Sequence, residues 1–209
     1  MNPVRIIIIA KEPRPGLAKT RLIPALGRQG AAHLADRMLR HTLAQAQKAA
    51  LGPVGLCVTP DPHAPYWQQL TAMTELQLSP QTDGSLGQRM AEAARQGLKG
   101  GSPVMLIGTD CPALDARRLQ TMAASLTEYD ACLCPTFDGG YSLLGLRQLN
   151  NALFQDIPWS TNQVAKLTRQ RLQQLGWSCH ESELLADVDE PEDLDQLEQL
   201  YPHIAGSRP

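Results

Sequence analysis

The groups in this chain best able to do chemistry are carboxylates and cations placed beside apolar runs. Asp110 lies in Gly108-Thr109-Asp110-Cys111-Pro112, directly after Val104-Met105-Leu106-Ile107. An unbroken apolar run reads as a strand covered on both faces, and in α/β folds ligands bind beyond the carboxyl ends of such strands. A carboxylate there can hold a hard cation, Mg2+ or Mn2+, against phosphate oxygens. The opposite charge comes from the stretch Lys11 to Leu22, which follows a run of isoleucines. Pro13 and Pro15 exclude helix, Gly16 permits an unusual backbone angle, and Lys11, Arg14, Lys19 and Arg21 gather just past a strand end. The loop is a candidate phosphate grip; the alternative is a turn whose cations face water. It does not match a P-loop, because Ala18 stands where a glycine must precede the lysine.

Three further stretches carry candidate contacts. In Gln81 to Met90, Gly84 and Gly87 let backbone approach a ligand, and the helix that follows favours an anion or a base edge near Leu86 and Arg89. The alternative is an ordinary cap made by Asp83 or Ser85. Asp138-Gly139-Gly140-Tyr141 is a turn signal. It is either a hairpin connection or a substrate-binding loop, in which Asp138 and Tyr141 touch substrate or Asp138 helps anchor a metal. Trp159 either stacks on a ring or belongs to the core, while Ser160 and Gln163 have capping-box spacing. Near the end, Asp189 and Glu192 also fit a capping box, which leaves Asp187 freer to complete a metal site with Asp110.

The elements that must position these groups alternate. Strands are expected at Arg5 to Ala10, 55–59, 76–78, 104–107, 129–135, 142–146 and 177–180. Helices are expected at 29–51, 66–73, up to about Leu98, 115–126, up to about Leu175, and at the end as far as Pro202. Cys132 and Cys134 fall on one strand face and read as buried apolar side chains, whereas His33 and His41 read as solvated helix positions. Strands and helices in alternation imply a mostly parallel twisted sheet in a three-layer α/β/α, Rossmann-like arrangement.

Composition bounds the rest. A chain of 209 residues with 43% hydrophobic content can bury one core, so residues 1–209 are expected to form a single domain. With 19 Lys+Arg against 21 Asp+Glu there is no basic field, and nucleic acid is not an expected partner. The 5 cysteines form no C-x-x-C pair, which argues against a disulfide framework or a thiolate zinc site and for the reducing cytoplasm. The N-terminal apolar run Ile6 to Ala10 is too short for a signal core or a membrane span.

Together the motifs Pro13-x-Pro15-Gly16-x-x-Lys19-Thr20-Arg21-Leu22, Gly84-x-Leu86-Gly87-x-Arg89-Met90, Gly108-Thr109-Asp110-Cys111-Pro112, Asp138-Gly139-Gly140-Tyr141-x-Leu143, Pro158-Trp159-Ser160-Thr161 and Asp187-Val188-Asp189-x-Pro191-Glu192-Asp193-Leu194 resemble the DUF2064 family, along nearly the whole chain. That family is an offshoot of the GT-A-fold nucleotide-diphospho-sugar transferases. The resemblance implies a nucleotide at the carboxyl edge of the sheet, Asp110 as metal ligand, and Lys19 and Arg21 neutralising phosphates. It puts Gly84 to Arg89 near the base or ribose, makes Gly139, Gly140, Tyr141, Trp159 and Ser160 substrate contacts, and gives Asp187 the second metal position.

The activity implied is metal-dependent transfer of a sugar from a nucleotide sugar to a small acceptor, with Asp138 activating the acceptor hydroxyl. Nucleotidyl transfer with pyrophosphate release is the alternative, and a non-catalytic nucleotide-binding protein the third. Two departures are plain: the first loop lacks the Gly-Gly-x-x-x-Arg-Met-Gly form of many nucleotidyltransferases, and Asp110 is not part of an Asp-x-Asp pair.

Overall fold

The computed structural model describes residues 3–72 and 76–206. Its centre is β1 (Arg5–Lys11), where β-branched residues suit a pleated strand and successive side chains serve opposite faces. Ile6 and Ile8 enter one core cluster and Ile7 the other. The remaining elements in chain order are α1 (Ile23–Ala49), β2 (Val54–Thr59), α2 (Pro65–Thr71), β3 (Gln77–Pro80), α3 (Leu86–Leu98), β4 (Val104–Ile107), α4 (Ala116–Ser125), β5 (Ala131–Pro135), β6 (Tyr141–Leu146), α5 (Val164–Gln174), β7 (Cys179–Glu181), α6 (Asp193–Leu200) and α7 (Pro202–Ala205). A single seven-stranded sheet runs β3-β2-β1-β4-β6-β5-β7.

The sheet is covered on both faces. Leu39 and Leu43 of α1, Trp67 of α2 and Leu119 of α4 pack on one face; Met90 and Ala94 of α3 with Ala165 and Leu172 of α5 pack on the other. This is the expected three-layer α/β/α arrangement. A third cluster joins Leu34 and Met38 of α1 to Val188, Leu194, Leu197 and Ile204, and so ties the tail back to the first helix.

All strand pairings are parallel except those of β6, which runs antiparallel to both β4 and β5. The short Asp138-Gly139-Gly140 turn explains this, since a parallel return needs a crossover of a dozen residues or more. The hairpin reading of that turn is therefore the observed one.

Several boundaries differ from expectation. Helix α1 starts at Ile23 because Pro24 is tolerated in a first turn, and it breaks locally at Gly27 (φ 68, ψ 169). The final helix stops at Leu200 and a separate short helix follows Pro202. The Met73 end of the expected second helix lies outside the described residues. Cys132 and Cys134 are buried in one cluster, as their spacing implies. His33 is exposed, but His41 is half-buried and its Nε2 lies 3.1 Å from Pro112 O, because α1 packs under the Asp110 loop. Among the described residues no helix is long and apolar enough to cross a membrane.

Candidate functional site

A cleft of about 820 Å³ opens at the carboxyl edge of the sheet. Its floor is Gly108 to Cys111 after β4. One side is built by Lys11 and Leu17 to Arg21 beyond β1, with Gln81, Leu86 and Arg89. The other side is built by Asp138, Gly140 and Tyr141 with Trp159 to Asn162, and Asp187 and Asp189 close the end. Most of the residues singled out from the sequence thus meet in one place.

Lys19 is the centre of the charged half. Its backbone is left-handed (φ 47, ψ 46), a conformation a lysine holds only where its surroundings enforce it. The enforcing contacts are those of the ammonium, which lies 2.5 Å from Asp110 Oδ1 and 2.9 Å from Asp189 Oδ1 and donates to Val188 O at 2.5 Å. The Lys19 side chain is only 7% exposed. Burial, the largest single influence, favours the neutral amine; the charges and hydrogen bonds of Asp110 and Asp189 together outweigh it and raise the lysine pKa. The backbone adds a further tie, since Val188 N–H donates to Asp110 O at 2.8 Å. Arg21 pairs at the rim with Glu190 at 3.1 Å.

Two local expectations fail here. Asp189 does not cap the last helix: its carboxylate faces Lys19, and Asp193 Oδ2 accepts from the N–H groups of Asp189 (2.9 Å) and Glu190 (2.8 Å). Ser160 forms no capping box with Gln163; its own backbone is left-handed (φ 63), and Gln163 N–H is met by Thr161 Oγ1 at 3.3 Å. For Asp189 a contact 170 positions distant in sequence outranks a local spacing.

The other half of the cleft contains acid without cation. Asp138 Oδ1 accepts from Thr136 Oγ1 (2.5 Å) and Gly140 N–H (2.8 Å). Asp187 is half-buried, and burial, followed by the charge of Asp138, pushes its carboxyl up to about 6. Neither acid has an ion-pair partner among the described residues. Tyr141 lines the cleft, but its hydroxyl is buried beside Thr168 and has no hydrogen-bond partner among the described residues. Burial holds that phenol well above its usual range.

Four of the glycines expected at the ligand, Gly16, Gly84, Gly87 and Gly139, do not line the cleft. Gly87 allows close packing instead: a Cβ there would sit 2.4 Å from Phe154 O and 2.6 Å from Trp159 Nε1, so the missing side chain lets α3 seat Trp159. At Gly139 (φ 86) a Cβ would meet Asn162 O at 2.3 Å, and this close approach joins the two loops of the acidic wall. Gly84 sits before the capping box of Ser85 and Gln88, and Gly16 lies against Arg28.

Gln81 was not marked as functional by its sequence. Its carboxamide Nε2 donates to Ala10 O and Cys57 O, each at 3.0 Å, and so fastens the ends of β1 and β2 under the cleft. The only local signal is its place directly after a strand that ends in Pro80. Arg89 reaches back to Gly84 O at 3.2 Å.

The donor set suits a hard divalent cation, because every acidic group here offers oxygen. Among the described residues, no three His, Cys, Asp or Glu side chains stand close enough to hold a metal alone. A cation held by one or two of these carboxylates would complete its shell with water and phosphate oxygens, which is the habit of Mg2+.

Comparison with known proteins bears on this geometry. A family model, DUF2064, described as "uncharacterized protein conserved in bacteria", matches residues 42–161. No curated protein matches. Among solved structures, a candidate nucleotide-diphospho-sugar transferase from Desulfovibrio desulfuricans G20 is 26% identical with a TM-score of 0.86, covering 96% of this chain and 90% of that one. A CMP:2-keto-3-deoxy-manno-octonic acid synthetase complexed with CTP is 13% identical with a TM-score of 0.61, covering 96% and 99%. A 4-diphosphocytidyl-2C-methyl-D-erythritol synthase from Anaerococcus prevotii DSM 20548 is 11% identical with a TM-score of 0.63, covering 92% of each chain. The last two share the fold.

Proposed function

The chain belongs to the DUF2064 family, and from that premise and the cleft we propose a metal-dependent transferase that moves a sugar from a nucleotide sugar to a small acceptor. The observation that carries this reading is the meeting of the β1 loop, the β4 end and the tail at Lys19, Asp110 and Asp189. That junction puts opposite charges at the sheet edge where α/β folds bind nucleotides. The likeness to the nucleotide-diphospho-sugar transferase structure supports sugar transfer in particular.

In this reading Asp110 and Asp187 would hold Mg2+ or Mn2+, and such a cation would supply charge neutralisation for a departing diphosphate. Lys11, Arg21 and Arg89 face the cleft from its cationic side and receive phosphate oxygens. Leu86 and Trp159 offer apolar surface to the base or the sugar. Asp138 has one oxygen held by Thr136 and Gly140, which leaves the other to take the proton of an acceptor hydroxyl. The five cysteines are free thiols, which supports a reducing compartment such as the cytoplasm.

The test is the leaving group. Incubation with a panel of nucleotide sugars and acceptors in Mn2+ should accumulate nucleoside diphosphate. Pyrophosphate released from a nucleoside triphosphate would replace this reading by nucleotidyl transfer, and nucleotide binding without either product would leave a binding protein.

A further inference from the structure

An ammonium has three N–H donors, and all three of Lys19 are engaged inside the protein, on Asp110, Asp189 and Val188 O. With its side chain 7% exposed, this lysine has no donor left over for a phosphate. It sits instead against Asp110, one of the carboxylates a divalent cation needs, and joins it to Asp189. The geometry points to Lys19 as the resident counter-cation of the carboxylate site, so that a divalent cation and a phosphate group enter together rather than separately. The phosphate half of this inference rests on the reading of the cleft as a nucleotide site.

The coupling is electrostatic. A divalent cation arriving alone must share Asp110 with an ammonium already in contact with it, and like charges at such range repel. A phosphate arriving alone finds Lys19 fully bonded and meets the charge of Asp110 and Asp189. When both arrive, the phosphate offers the ammonium new acceptors, and the freed carboxylate oxygens face the metal. The lack of any three-ligand protein cage among the described residues fits this, since the incoming phosphate supplies the missing oxygen ligands. The left-handed Lys19 backbone, at the start of the 3-10 turn Thr20–Leu22, is a point where the loop can relax once the ammonium changes partners. Such mutual enhancement is a coupling free energy and must be reciprocal.

The experiment measures Mn2+ binding by calorimetry and electron paramagnetic resonance, alone and with inorganic pyrophosphate, corrected for the complex the two form in solution. In the wild-type chain pyrophosphate should tighten Mn2+ binding by about tenfold or more. In Lys19→Met, Mn2+ alone should bind about tenfold tighter than in wild type, and pyrophosphate should add less than about threefold. Lys19→Gln, which keeps hydrogen bonding to Val188 O, should show the same direction and serves if the methionine variant does not fold. Unchanged or weaker Mn2+ binding in a folded Lys19 variant overturns the inference. If the wild type binds no pyrophosphate, the nucleotide reading of the cleft fails, while the Mn2+ arm still decides whether Lys19 competes for the carboxylates.

Discussion

The two halves of the cleft treat negative charge in opposite ways. On the β1 and β4 side each acid has a cation: Asp110 and Asp189 share Lys19, and Glu190 meets Arg21. In the other half Asp138 is held by a hydroxyl and an amide, and its charge adds to the burial that raises the Asp187 carboxyl. In the paired half two cations are divided among three acids, and every acid is in an ion pair. The unpaired half carries repulsion that an arriving cation or a shared proton relieves. The same side-chain type thus stands in ion pairs on one wall and without a cation on the other.

The sharpest way to break this contrast is to remove one acid from each half. Asp110→Asn takes away the carboxylate that Lys19 contacts and the proposed metal would use, and turnover should fall by about 10²–10³-fold, the scale seen when a preorganised polar group is lost. Asp138→Asn should cost about tenfold to a hundredfold, as expected for a proton acceptor that water can partly replace. Steady-state release of the leaving group measures both, with thermal unfolding to confirm a folded protein. A larger loss in Asp138→Asn than in Asp110→Asn would place the chemistry on the unpaired wall alone.

A second test uses pH and no substrate. The Asp187 carboxyl titrates at about 6 in the folded chain, above its ordinary range, because of burial and then the charge of Asp138. A raised carboxyl favours the folded state while it is protonated. Its contribution is therefore full below about pH 4 and is lost as pH rises through about 6. The paired half behaves differently: the raised Lys19 pKa keeps its contribution constant until strongly alkaline pH. In metal-free buffer, Asp187→Asn should gain stability over wild type on moving from pH 4.5 to 7.5, by on the order of 1 kcal/mol after solvent screening. Denaturant unfolding at the two pH values reads the difference, and an identical offset at both would remove Asp187 from the unpaired half.

These expectations depend on what the sequence could and could not reveal. Val104 to Ile107 announces a strand covered on both faces, so Asp110 is placed by a local pattern, and the Asp-Gly-Gly turn announces a hairpin. Of the two caps the sequence offers for α3, Asp83 and Ser85, the observed one is Ser85. The insertion of β6 between β4 and β5 has no such local mark, because it is decided by which strand edges are left to pair. Asp189 departs from its expected capping role for a similar reason, with Asp193 accepting the N–H groups in its place. A capping-box spacing is a preference over four residues, whereas the bond from Lys19 to Asp189 crosses 170 positions and is worth more, being charge-assisted and nearly buried at the lysine. Ser160 has a left-handed backbone (φ 63), and its loop lies close against Gly139 at Asn162, a long-range approach that no capping spacing announces.

The smallest effect is expected at the rim and concerns how much of the paired half is structural. Arg21 and Glu190 are 61% and 51% exposed and lie 3.1 Å apart. An exposed pair of this kind contributes about 0–1 kcal/mol, because water screens the attraction and two long side chains lose freedom to form it. Glu190→Gln should therefore change unfolding stability by less than about 0.5 kcal/mol. It also frees Arg21 for an incoming phosphate, so pyrophosphate affinity should rise by about twofold to threefold at low salt, with the gain shrinking as ionic strength increases. A loss of stability above about 1 kcal/mol would make the rim pair a structural latch like the one at Lys19. A fall in affinity would mean that Glu190 orients Arg21 toward the cleft, and the paired half would then hold its cations in place for the ligand at both depths.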